Sequence, residues 1–185
     1  MLISGGQSLV PLLNFRLVSP CLLIDISRLD ELQGIMENDS YLSIGAATRL
    51  HEIERSPVIS KHFPVISAAV SHVAHLAIRN KGTIGGSLCH GDPAAELPMI
   101  IQLLNANLIV RGPTGQRTID AEHFFLGPLA TDIAKDEVLV SIRLPYLAPQ
   151  TGWGFEEFAR KTGDFALAGA AALIKANEEH ITEAR

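Results

Sequence analysis

Arg79-Asn80-Lys81-Gly82-Thr83-Ile84-Gly85-Gly86-Ser87-Leu88-Cys89-His90-Gly91-Asp92-Pro93-Ala94-Ala95-Glu96-Leu97-Pro98 is the stretch on which the reading of this chain turns. Two cations lead into a Gly-rich turn that ends in a hydroxyl, and a helical segment started by Pro93 follows. Glycine adopts φ > 0 without strain and lacks the Cβ that would hold a ligand off the main chain. Successive N–H groups in such a turn converge into a concave anion site. Gly82 to Ser87 therefore reads as a place where phosphate oxygens lie against bare backbone. An ordinary tight turn is the plain alternative, because Gly and Pro clusters mark turns.

A second stretch of the same kind opens the chain. Leu2-Ile3 reads as a strand, Ser4-Gly5-Gly6-Gln7-Ser8 as a Gly turn, and Leu9 to Phe15 as a helix with Ser8 at its N-cap and Pro11 in its first turn. Strand, turn and helix in that order present unsatisfied helix N–H groups to an anion. Neither stretch fits the dinucleotide fingerprint G-x-G-x-x-G or the Gly-Lys-Ser/Thr of a P-loop. Two separate backbone cradles suit a long, bent ligand carrying a diphosphate.

Working outward, Cys21 to Ile26 reads as a short strand, and Tyr41 to Ala46 as a strand pairing with Leu32 to Met36. Thr48 is the expected N-cap of a helix through Glu54. From Pro64 the apolar positions Val65, Ile66, Ala69, Val70, Val73, Ala74 and Ala77 keep a 3.6-residue period, which predicts one helix up to the Gly-rich stretch. His72 and His75 stand three apart on it. A metal site needs three or four ligands, and no partner ligand accompanies them, so no metal site is expected. A helix is predicted from Ala94 to Leu104, and Ala121 to Phe125 as a short one. Gly112-Pro113-Thr114-Gly115 between two alternating runs is a hairpin signal. Glu137 to Leu144 alternates as a strand. Leu147 to Gly152 is the boundary candidate, dividing the chain into 1–148 and 149–185. Beyond it, Trp153 to Lys161 and Leu167 to Lys175 read as strands, with a helix as the alternative for the Ala-rich 166–176. Helices and short antiparallel strands mix without regular βαβ alternation, so the fold class is α+β.

The 185 residues are 47% hydrophobic and 19% charged, enough to bury a core. The net charge of −5 and the absence of a Lys/Arg run argue against nucleic acid. No apolar run reaches membrane-span length. No secretory leader is visible, and the two cysteines, Cys21 and Cys89, suit a reducing, cytoplasmic setting. No acid–base or nucleophilic constellation stands out, so no catalytic residue is assigned. The chain opens inside a strand and stops as another element begins, which reads as a fragment truncated at both ends.

Gly5 to Pro11, Leu22 to Ile26, Arg79 to Leu88, Asp92 to Pro98 and Arg160-Lys161-Thr162-Gly163-Asp164-Phe165-Ala166 together resemble the FAD-binding medium subunit of molybdenum hydroxylases. Aerobic carbon monoxide dehydrogenase and bacterial xanthine dehydrogenase carry such subunits. The resemblance implies the α+β FAD-binding fold of the vanillyl-alcohol oxidase type, followed by the start of an α+β C-terminal domain. It implies that Ser4, Gly5, Gly6, Gln7 and Ser8, with Thr83, Ile84, Gly85, Gly86 and Ser87, bind the FAD diphosphate and its neighbouring ribityl and ribose groups. Glu96 stands where the family usually has an Asp contacting the adenosine side, Ile133 where it has an aliphatic residue by the cofactor, and Phe165 where it has an aromatic near the isoalloxazine. Family members begin about one strand-helix-strand unit before the first Gly-Gly motif. The implied function is electron transfer within an oxidoreductase. A molybdenum-cofactor large subunit and a 2Fe-2S small subunit deliver electrons to FAD, which passes them to NAD, a quinone or another acceptor. A stand-alone FAD oxidase and a non-catalytic docking subunit are the alternatives.

Overall fold

The computed structural model describes residues 1–177 and 180–185. The chain starts with β1 (Leu2–Ile3), α1 (Leu9–Asn14) and β2 (Ile24–Asp25), and the two strands pair in parallel over two rungs. Only the last part of the strand expected at Cys21 to Ile26 pairs. Next come β3 (Ile35–Glu37) and β4 (Tyr41–Gly45), then the helices α2 (Leu50–Arg55), α3 (Pro57–His62), α4 (Pro64–His72), α5 (Leu76–Arg79), α6 (Ile84–His90) and α7 (Glu96–Leu103). A hairpin of β5 (Asn107–Gly112) and β6 (Gly115–Asp120) is followed by α8 (Ala121–Phe124), β7 (Phe125–Gly127), β8 (Ala130–Thr131) and β9 (Val138–Pro145). The last elements are β10 (Thr151–Phe158), β11 (Ala168–Ala176) and β12 (Ile181–Ala184). The fold is α+β.

The central sheet has the order β3-β4-β9-β5-β6, and every pair in it is antiparallel. Period-2 alternation turns Leu42 and Ile44 of β4, Leu108 and Val110 of β5, and Ile142 and Leu144 of β9 inward, and a bulge at Val140 brings Leu139 to the same face. Against them pack Ile53 of α2, Ile59 of α3, Val65, Ile66, Ala69 and Val70 of α4, Ile84 and Leu88 of α6, and Leu97, Ile100 and Ile101 of α7. Each Val, Leu or Ile among them contributes about 1.5–3 kcal/mol by leaving water, so the core fixes where α6 and α7 sit.

Several local expectations shift. Leu32 lies in a short 3-10 turn, and strand pairing begins only at Ile35. α2 starts at Leu50, and the Thr48 hydroxyl donates to the Gly34 carbonyl at 3.1 Å rather than capping it. The real cap nearby is Ser56, whose hydroxyl accepts from the Ile59 N–H at 3.3 Å, with Pro57 at the first helical position. The long helix expected from Pro64 breaks after His72, and Ala74 takes φ 44°. Arg79 explains the break. Its Nη1 donates to the Val73 carbonyl at 2.9 Å and the Ala74 carbonyl at 3.2 Å, while Nε and Nη2 grip the Glu54 carboxylate. α7 begins at Glu96 because Asp92 forms a turn with Ala94 and Ala95, its Oδ1 accepting from the Ala94 N–H at 2.9 Å.

The C-terminal strands form a separate antiparallel sheet, β10-β11-β12. The Ala-rich segment is strand, as β11, because it pairs with β10 in register from Phe158↔Ala168 to Thr151↔Lys175. β10 turns Phe155 and Glu157 toward α4. The His72 ring meets Phe155 edge-on at 5.3 Å, and its Nδ1 lies 3.8 Å from the Glu157 carboxylate. His75 packs against Gly163, which has φ 83° and no room for a Cβ.

Candidate functional site

The two Gly stretches, 79 residues apart, touch. Ser4 Oγ and Thr83 Oγ1 are 3.1 Å apart and hydrogen-bonded. A Cβ on Gly5 would overlap the Lys81 carbonyl and stand 2.7 Å from Gly82 Cα, so only glycine permits this approach. Gly6 has φ 73°, the left-handed conformation expected of it. The Gln7 side chain folds back to the Gly5 carbonyl at 2.9 Å. Ser8 holds the N-cap position of α1, though its hydroxyl makes no capping bond. Among the described residues, the backbone N–H groups of Gly5, Gly6, Gln7 and Ser8 have no protein acceptor. Successive N–H groups next to a left-handed glycine are the kind of backbone from which anion-binding concavities are built.

The second stretch is built differently from the turn expected. Thr83 caps a helix, its Oγ1 accepting from the Gly86 N–H at 3.2 Å, and Ile84 to Ser87 form the first turn of α6. None of Gly82, Gly85 and Gly86 has positive φ. Gly85 is required for another reason: its Cβ would lie 2.6 Å from the Ala46 Cβ. Gly86 is the open one, since an added Cβ there meets only the Thr83 hydroxyl, at 2.9 Å.

The segment after β4 holds this turn in place. The Ala46 carbonyl accepts from the Gly85 N–H at 2.8 Å and the Thr48 carbonyl from the Ile84 N–H at 3.1 Å. The Gly82 carbonyl accepts from the Leu50 N–H at 3.0 Å, and Arg49 Nη1 donates to the Lys81 carbonyl. Ala46 is itself fixed by a bond from its N–H to the Val140 carbonyl, 2.9 Å, at a bulge where Val140 has no partner on β5. Sequence reading gave Ala46, Thr48 and Arg49 no part in the site. Their signal is the run of small residues Gly45-Ala46-Ala47, which makes room for the Gly85 backbone.

Of the remaining candidates one lies on α7 and two lie in loops. Glu96, at the first position of α7, is 7% exposed, and burial pushes its carboxyl up to about 7. The nearby Glu157 and Asp92 carboxylates add to the rise, while its own backbone N–H opposes it. Its carboxyl therefore has acidic neighbours, including one from the C-terminal sheet. Ile133 is half-buried against the core, in the loop after β8. The residues just before that loop reach the far end of α6: the Leu129 N–H donates to the Gly91 carbonyl at 2.9 Å, and a Cβ on Gly91 would lie 3.4 Å from Thr131 Cγ2 of β8. Phe165 is exposed, two residues past Gly163 in the loop that rests on His75. The structure thus joins Ser4 to Ser8 with Thr83 to Ser87. Glu96, Ile133 and Phe165 stand apart from that junction. No helix among the described residues is long and apolar enough to cross a membrane.

Comparison with known proteins gives this arrangement a context. A family model described as the FAD binding domain in molybdopterin dehydrogenase matches residues 1–147. The nicotine 6-hydroxylase medium subunit of Paenarthrobacter nicotinovorans is 39% identical over 184 residues, covering 100% of this chain and 64% of that protein. A solved carbon monoxide dehydrogenase from Hydrogenophaga pseudoflava, lacking the Mo-pyranopterin moiety of its cofactor, superposes with TM-score 0.97 at 39% identity. Quinoline 2-oxidoreductase from Pseudomonas putida 86 superposes with TM-score 0.95 at 40% identity. Each structural match covers 100% of this chain and 64% of the other. The chain therefore spans under two thirds of the length of these relatives. By the extent of the family match and the identity of its backbone course with these oxidoreductase subunits, the chain belongs to the FAD-binding domain family of the molybdopterin dehydrogenases.

Proposed function

We propose that Ser4 to Ser8 and Thr83 to Ser87 hold the diphosphate of FAD and the groups beside it. The observation that carries this reading is the run of free N–H groups from Gly5 to Ser8, closed against Lys81 and Gly82. Backbone dipoles supply the positive potential there, so a diphosphate needs few cationic side chains. The Ser4–Thr83 hydroxyl pair sits at the seam, and the open face of Gly86 leaves space beside it. In this reading Ile133 and Phe165 lie toward the flavin ring and Glu96 toward the adenosine side. FAD, when bound, accepts and releases electrons; the chain's own residues bind it, orient it and set its surroundings. Residues 1–148 form the FAD-binding domain, and 149–185 belong to a second α+β unit.

The whole protein is then the medium subunit of a molybdenum hydroxylase of the carbon monoxide dehydrogenase or xanthine dehydrogenase type. Its partners are a molybdenum-cofactor large subunit and a 2Fe-2S small subunit, with NAD, a quinone or another acceptor downstream. The relatives' printed names, among them medium subunits and medium chains, support this assembly.

Gly86→Val tests the cradle. Its Cβ displaces the Thr83 hydroxyl and its methyls enter the open face, while the rest of the core is untouched. The variant is expected to fold with unchanged circular dichroism and to lose FAD binding by at least about tenfold in Kd, measured by fluorescence titration with FAD. A folded variant with the parent's Kd would sink the assignment. Co-purification with molybdenum and iron-sulfur subunits separates the subunit reading from a lone oxidase.

A further inference from the structure

One side chain bonds to both ends of the loop from Asp132 to Glu137. Arg117, on the edge strand β6, donates from Nε and Nη2 to the two oxygens of Glu137 at 2.8 and 2.9 Å. Nη1 donates to Asp132 Oδ2 at 2.9 Å and Nη2 to the Asp132 carbonyl at 2.6 Å. Glu137 Oε2 also accepts from the Ala134 N–H at 2.9 Å, and the Asp132 N–H donates to the Phe124 carbonyl at 2.8 Å. Isolated surface ion pairs contribute little, but a bidentate fork joined to a network is the exception. The guanidinium beside Glu137 holds its carboxyl down at about 2. One planar group therefore staples both ends of a six-residue loop, and Ile133 is the first of the four residues between the staples.

The loop is placed to matter. It follows β8, which docks on Gly91 at one end of α6, and the Thr83 cradle is at the other end. Seven helical residues rise about 10 Å, and Asp132 follows directly on Thr131, which faces Gly91.

We infer that Arg117 is a positioning residue for the bound flavin, acting through the 132–137 loop to fix Ile133 beside the cofactor. This rests on the FAD reading above. Arg117 touches nothing in the cradle itself; it removes freedom from the loop before the cofactor arrives, which lowers the ordering cost of binding. Lys replaces it only in part, because an ammonium keeps the charge but lacks the planar fork that spans two acids.

The test uses the chain as it stands, titrated with FAD and followed by flavin fluorescence and the visible flavin band. Arg117→Gln is expected to bind FAD about tenfold more weakly with a shifted band, and Arg117→Lys to fall between it and the parent. In an Ile133→Ala background the Arg117→Gln loss should shrink to about threefold or less, since the two residues act as one unit. A folded Arg117→Gln with the parent's Kd and band would overturn the inference, and so would strict additivity with Ile133→Ala. Should Arg117→Gln fail to fold, Arg117→Lys decides alone: a folded Lys variant with the parent's Kd and band overturns it. Failure of the parent chain to bind FAD would sink the FAD reading, and this inference with it.

Discussion

Gly5→Ala is expected to destabilise the chain by about 2–3 kcal/mol, since overpacking against fixed backbone costs that much. For a chain of this size that is a fall of roughly 4–10 °C in Tm. The added Cβ meets main chain, the Lys81 carbonyl and Gly82 Cα, and no side chain can swing aside to relieve it. The Lys81 carbonyl is also pinned by Arg49, and the Gly82 carbonyl by the Leu50 N–H, so the second stretch cannot retreat without breaking those bonds. Relief comes by moving the 4–8 segment away, which parts Ser4 from Thr83 and opens the cradle. FAD affinity should therefore fall together with Tm. Gly127→Ala is the control: its Cβ meets no atom within 4 Å, and a change within about 0.5 kcal/mol is expected. Thermal melts of the two variants side by side check this. Equal Tm values would show that the close approach at Gly5 is not a constraint.

Glu96→Gln is expected to remove a pH dependence rather than a contact. Glu96 moves from an ordinary 4.5 to about 7 in the fold, through burial first and then repulsion from Glu157 and Asp92. Between those values the folded chain keeps a proton that the unfolded chain has released. Stability therefore declines as pH rises from about 4.5 through 7, by roughly 3 kcal/mol in all, and levels off above. The amide of Gln carries no charge at any pH, so the variant should overtake the parent progressively across that window. Glu137 works in the opposite sense and in a separate window. Its depressed carboxyl contributes stability above pH 4.5 that is lost as pH falls toward 2. Urea melts of parent and variant from pH 4.5 to 8 measure the difference directly. Trp153, the single tryptophan, lies on the same strand as Glu157 and gives the fluorescence signal. A difference that stays constant with pH would refute the buried-proton account.

The sequence was legible wherever one segment contained its own instructions. The β5–β6 hairpin follows from Gly112 to Gly115 and two alternating flanks, and β9 from its period of two. The two Gly stretches, alike in sequence, meet at the Ser4–Thr83 contact. What could not be read depends on partners distant in sequence. The break after His72 is made by Arg79 reaching back to two carbonyls, while the local periodicity argues for continuity. Gly85 and Gly86 read as a turn because Gly-Gly usually is one. They fold as a helix start because Thr83 caps it and Ala46 demands a bare Cα. Arg117 shows no pattern at all; its importance lies in two acids 15 and 20 residues downstream.

The Ser4–Thr83 contact has a consequence in proton counting. Two hydroxyls bring two hydrogens to this seam, and the bond between their oxygens uses one. Thr83 Oγ1 also receives the Gly86 N–H, so that contact consumes a lone pair and no hydrogen. Whichever oxygen donates across the seam, the other keeps its O–H unspent. If Ser4 donates, the free hydrogen is on Thr83; if Thr83 donates, it is on Ser4. The seam therefore always has one hydroxyl hydrogen to give, and it can hand that hydrogen to either side by turning two C–O bonds, with no change in charge and no backbone movement.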